Sequence, residues 1–263
     1  MPICRLIFRL DFKVNFKMID QAGGTLQLLD SITQGPEKKF KFFDQIGEKL
    51  ESRLVEANAK DKEEDVPKWT RRIGVRPESI DVNIENFPGL NLHDIQNNYE
   101  FSKLIKITDE IRKKFQISNL LRAGLRIFYF NKIGNGAEDA LKAFKDVLFP
   151  TFSSTAESDL GSISDIGITF DGSHEDKIAY HFRCGPYWQE ESKRNKYLSI
   201  DIDKLGNNNN IIVDIDLYET NFTLNETVSF AKWCNPLLDK TKKIIPDVEK
   251  ILKDKIIAQA NNN

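Results

Sequence analysis

Four aspartates in the stretch YLSIDIDKLGNNNNIIVDIDLYET, residues 197–220, combine types and spacing that could do chemistry. Asp201 and Asp203 precede the asparagine run Asn207–Asn210, and Asp214 and Asp216 follow it. Asparagine runs favour turns. If this one closes a hairpin, Asp203 falls opposite Asp214 and Asp201 opposite Asp216, while Ile202 and Ile215 share the other face. Directly opposed carboxylates destabilise a sheet by a few tenths to ~1 kcal/mol per exposed pair, so a counter-charge is expected. Mg²⁺ or Mn²⁺ would provide it through oxygen ligands and would support metal-dependent phosphodiesterase or nuclease chemistry. Arginine or lysine would provide it without any reaction.

The arginines are at hand. Arg122 and Arg126 lie four residues apart in LLRAGLRIFYFNKI, residues 120–133, with Gly124 between them. On a strand that spacing puts both on one face. They are the leading candidates for neutralising the aspartates, with a metal as the alternative. No lysine or glutamate at the spacing a nuclease needs accompanies the four aspartates.

Other reactive residue types read more simply. His181 sits on an alternating strand and His174 in a turn between Asp171 and Asp176, where polar residues satisfy backbone groups. Cys184 has no base placed beside it by sequence. Gly134-Asn135-Gly136 opens a helix without the rest of a nucleotide fingerprint. The aromatic residues Tyr180, Phe182, Tyr187 and Trp188, with Tyr197, would form a contact surface for a partner if the strands expose them.

The elements that must position these residues follow from the hydrophobic pattern. The chain has 263 residues, of which 40% are hydrophobic, enough for a full core in one α+β domain of residues 1–260. Two loosely similar halves, about 1–118 and 119–260, are an open alternative. Alternation over residues 4–12 predicts an opening strand, and 120–133 a core strand. Helical spacing predicts helices over 38–59, 99–115 and 137–148, the last ended by Pro150. A strand region spans 69–87. Residues 165–170 and 177–183 read as a hairpin within a C-terminal meander. From Leu224 to about Ala258 the pattern is helical, with Pro246 expected to kink or break it.

Charge and cysteine usage exclude several classes. Lysine and arginine total 38 against 40 acidic residues, a net charge of -2, which argues against a nucleic-acid partner. Three scattered cysteines, Cys4, Cys184 and Cys234, suggest reduced thiols in a cytoplasmic protein. No continuous apolar run of spanning length occurs, so no membrane partner is expected.

Residues 122–133, Arg-Ala-Gly-Leu-Arg followed by aromatics and Asn-Lys-Ile, resemble a strand of a sporadically distributed bacterial family of unknown function. That family's pattern reads Arg-x-Gly-Leu-Arg-Tyr-x-Asn-Arg-Ile, with Ile127 here in place of its tyrosine. A second family strand, Leu-x-Leu-Asp-Ile-Asp-x-Tyr before a terminal helix, resembles Ile212–Tyr218. The resemblance covers roughly the last half of the chain. It implies an accessory gene in a mobile or phage-defence setting and carries no activity. With no catalytic constellation and an aromatic meander, the expectation is a non-catalytic binding protein that acts through a protein partner or self-association. Its fold would be an α+β sheet, mixed or mostly antiparallel, with helices on one side.

Overall fold

A computed structural model describes residues 3–21, 41–46, 50–57, 70–85, 95, 99–131, 134, 136–173, 177–188, 210–224, 230–251 and 254. Its centre is a nine-stranded sheet whose strand pairs are all antiparallel. The strands are β1 (Ile3–Phe12), β2 (Lys41–Ile46), β3 (Leu50–Ala57), β4 (Thr70–Arg76) and β5 (Ser79–Glu85), then β6 (Asn119–Asn131), β7 (Ile168–Ser173), β8 (Ala179–Pro186) and β9 (Ile211–Thr223). Across the sheet their order is β2-β3-β4-β5-β1-β6-β9-β8-β7. The expected α+β architecture is the observed one.

The two central strands show why the sheet has one greasy side. On β1, Leu6, Phe8, Leu10 and Phe12 alternate with Ile7, Arg9 and Asp11 and are at most 3% exposed. On β6, Ala123, Leu125, Ile127 and Tyr129 are fully buried. Period-two alternation sends these sets to the same side, where α1 (Phe16–Asp20), α2 (Tyr99–Lys114), α3 (Ala137–Ala143) and α5 (Phe230–Ile251) add Met18, Leu104, Ala140 and Leu238 to the core. On α2, Phe101, Leu104, Ile111 and Phe115 recur at helical spacing and are buried. Buried Arg112 donates to the Ile117 carbonyl just past the end of α2, and the Ile117 N–H returns to the Arg112 carbonyl.

Several elements differ from the sequence reading. Within the helix expected over 38–59, the described residues 41–46 and 50–57 are paired strands instead, with Phe42 opposite Leu54 and Ile46 opposite Leu50. A short segment rich in aromatic and aliphatic residues fits both periods, and pairing with β4 selects the strand. Pro150 opens a helix, α4 (Pro150–Leu160), as well as ending the turn before it; proline's missing N–H costs nothing at a first helical position. Between α3 and α4, residues 144–148 wind as one π-turn. Leu224 is not helical, and the last helix, described over Phe230–Ile251, runs unbroken through Pro236 and Pro246. Burial of Cys234, Leu237, Leu238, Thr241 and Ile245 along one face holds it through both prolines.

The largest correction concerns the opening hairpin. Both edges of β9 are occupied: β6 pairs along its whole length and β8 pairs with Ile211–Tyr218. Asp214 and Asp216 therefore face Phe128 and Arg126 on one side and Arg183 and His181 on the other. No ladder position remains for the residues expected to oppose them. Asp201 and Asp203 themselves lie outside the described residues.

Candidate functional site

The face of the sheet turned away from α2 and α5 carries the polar half of each strand. Arg5, Ile7, Arg9 and Asp11 occupy it on β1, and Arg122, Gly124, Arg126 and Phe128 on β6. On β9 it holds Asp214, Asp216 and Tyr218, and on β8 His181 and Arg183.

Here Arg126 grips Asp214 with two bonds, Nε to Oδ1 at 2.8 Å and Nη2 to Oδ2 at 2.5 Å. Arg122 reaches along the ladder to Asp216, Nη2 to Oδ2 at 2.5 Å. The pairs are diagonal, since Arg126 is the ladder neighbour of Asp216. Gly124 makes the reach possible. A Cβ at that position would sit 3.1 Å from the Tyr218 Cβ and 3.4 Å from the Asp216 Oδ1.

Aromatic rings support both guanidinium groups: Arg122 lies 4.5 Å from the Tyr218 centroid and Arg126 4.8 Å from that of Phe128. The carboxylates are deep and the arginines shallow. Side-chain exposure is 7% for Asp214 and 13% for Asp216, against 42% for Arg126 and 29% for Arg122. Burial pushes the Asp216 carboxyl above its ordinary range, against the pull of Arg122 and Arg126. Hydrogen bonding to Asp214 raises Arg126 further above its already high value.

The network continues onto strands that the sequence reading left out. Asp11 stands 3.9 Å from Arg122 and 2.7 Å from Arg9. Arg5 donates to the Asn83 amide oxygen at 3.0 Å, and Arg76 pairs with Asp81 at 2.9 Å. At the far side, His181 Nδ1 meets Asp171 Oδ1 at 2.7 Å. Arg5 and Arg9 repeat the four-residue spacing of Arg122 and Arg126 on the neighbouring strand, and that signal was available in the sequence.

The aromatic cluster divides. Tyr180 is exposed and Phe182 half-buried, both on the helix side of β8. Tyr187 is buried against Phe130 on the outer face, ring centroids 4.9 Å apart. Trp188 is half-buried. His174 and Tyr197 lie outside the described residues. Gly136 serves structure, its carbonyl accepting from the Ala140 N–H and from the Asn210 amide. Burial pushes the Cys4 and Cys184 thiols up to about 12, and Cys234 also upward, so none is poised as a nucleophile.

An open cleft of about 420 Å³ lies where β1, β6 and β9 end, lined by Asn15, Gln116, Asn119 and Asn221 among others. Gln116 and Asn221 have φ of 54° and 52°. The first of these follows from the turn that closes α2, where the Gln116 N–H bonds the Lys113 carbonyl.

Among the described residues no group of three or more acidic, histidine or cysteine side chains is placed to hold a metal, and no helix is long and apolar enough to cross a membrane. No family model, curated protein or solved structure matches the chain, so the family resemblance rests on the two strand patterns alone.

Proposed function

We propose that the chain is a non-catalytic binding protein whose outer sheet face, centred on Arg122 and Arg126, engages a protein partner. One observation carries this reading. Asp214 and Asp216, two of the four aspartates that a metalloenzyme would use, are already paired with arginine, while the arginines keep exposed surface over aromatic rings. Arginine backed by tyrosine and phenylalanine is the composition enriched at protein interfaces. Buried carboxylates hold each guanidinium in one orientation, which lowers the ordering cost of binding. The resemblance adds an accessory or phage-defence setting as the place to look for the partner.

The test is affinity capture from the native host with wild type and Arg126→Gln, followed by mass spectrometry. A partner recovered by wild type and lost with Arg126→Gln supports the reading. A partner that the variant retains moves the interface elsewhere. Titration of Mn²⁺ or Mg²⁺ against melting temperature provides the counter-test. A millimolar-range rise that Asp214→Ala/Asp216→Ala abolishes would replace this reading with the phosphodiesterase one.

A further inference from the structure

β7 ends the sheet among the described residues. Edge strands are normally guarded by short length, charged side chains (lysine above all), proline or a bulge, and the one charge on the six-residue β7 is Asp171. The sequence of β7, Ile-Thr-Phe-Asp-Gly-Ser, contains neither lysine nor proline, and its pairing with β8 runs without a register shift. Phe170 is 56% exposed and lies against Phe182, centroids 5.9 Å apart. Tyr180 beside them is 37% exposed. Gly172 leaves room for that ring, since a Cβ there would fall 2.5 Å from the tyrosine oxygen. These residues carry the apolar side of the sheet out to its edge.

We propose that β7 pairs antiparallel with β7 of a second copy of this chain, about a two-fold axis at Phe170. This goes beyond the outer-face reading above, since the surface is the β7 edge and the partner is a second copy of the chain. The strand is self-complementary in that register. Phe170 meets its own image, Thr169 stands opposite the second copy's Asp171, and Ile168 opposite the second copy's Gly172.

Charge selects the same partner. Arg183 is exposed on β8, next to Thr169 in the ladder, and its other neighbour, Asp214, is already bound by Arg126. Asp171 meets His181 of its own chain at 2.7 Å through Oδ1, and its side chain, 72% exposed, has a second carboxylate oxygen to offer. The two-fold sets each copy's Asp171 on the same face as the other copy's Arg183, two strands apart with Thr169 between them, so the match occurs twice.

Light scattering on size-exclusion fractions and sedimentation of the full chain test this. Wild type is expected as a dimer at high micromolar concentration. Phe170→Lys is expected to be monomeric with unchanged circular dichroism and melting temperature. Asp171→Arg and Arg183→Asp should each weaken the dimer about tenfold or more, and the double swap should restore it. A monomeric wild type, or a dimer that survives Phe170→Lys, overturns the proposal. The interaction reading fails separately, when the capture experiment recovers nothing that depends on Arg126.

Discussion

Asp109 and Arg112 meet among the helices at side-chain exposures of 9% and 1%, whereas Asp214 and Arg126 meet on the outer face at 7% and 42%. Both are aspartate–arginine pairs, yet they differ in which partner is deep. In the helix layer the arginine is sealed in, donating to Asp109 through Nε at 3.1 Å and Nη2 at 2.9 Å and to the Ile117 carbonyl at 3.3 Å. Lys113 adds a second cation to Asp109 at 2.8 Å. That centre is satisfied from within and presents little to solvent. On the outer face the aspartates are sealed and the arginines stay partly exposed, so the pair can hold a donor fork ready for something outside the chain. Depth of the cation separates a structural ion pair from a candidate binding surface.

The largest effect should come from breaking the helix-layer pair. Arg112→Met leaves Asp109 buried with reduced compensation, and urea denaturation should show a loss of about 3–5 kcal/mol. Asp109→Leu/Arg112→Met should lose much less, because no buried charge is then left over. A double variant as unstable as the single one would show that Arg112 acts through its Ile117 bond and packing.

Next in size is Gly124→Val on the outer face. The added side chain meets Tyr218 and Asp216 at close range and should cost about 1–3 kcal/mol. It should also abolish whatever Arg122 binds. Smaller still is the coupling between Arg126 and Asp214. A double-mutant cycle with Arg126→Gln and Asp214→Asn should return about 1 kcal/mol, since the arginine is well exposed and solvent screens it. A coupling several times larger would make this pair structural too and erase the contrast.

The finest distinction is the sign of pH dependence. Burial alone would push the Asp109 carboxyl up, but hydrogen bonds from Lys113 and Arg112 hold it below its ordinary range. Its stabilising contribution is therefore present above the unfolded value of about 3.9 and lost as pH falls through the folded pKa. Asp216 is raised, so its contribution is greatest below about 3.9 and lost as pH rises through its folded pKa. Denaturation against pH should show Asp109→Asn removing part of the acid-side loss. Asp216→Asn should gain on wild type as pH increases over the weakly acidic range. Slopes of the same sign for both variants would contradict the assignment.

The two halves of the sheet extend the comparison. Four strands lie beyond β1 and three beyond β6, but the inner neighbours correspond, with β5 flanking β1 as β9 flanks β6 and a helix following each of β5 and β9. Arg9 lies opposite Asp81 as Arg126 lies opposite Asp216. Yet Asp81 is taken by Arg76, and Arg9 turns to Asp11. The same ladder places end in different ion pairs because the neighbouring strands offer different partners.

The local pattern carried much of this fold. Alternation in β1 and β6, helical spacing in α2, and the Arg122–Gly124–Arg126 face all follow from periods of two and 3.6, which chain geometry imposes wherever the segment ends up. Arginine as the counter-charge for Asp214 and Asp216 also followed, because these arginines shared a face, although the opposed carboxylates that called for it gave way to pairing with β6 and β8. Tertiary structure decided the rest. Residues 41–46 and 50–57 satisfy either period, and pairing with each other and with the edge of β4 made them strands. An asparagine run suggests a turn but cannot name the strand it returns to. β9 lies between β6 and β8, separated in sequence by 94 residues from Arg122 to Asp216, and strand order depends on which distant edges bury the most apolar surface.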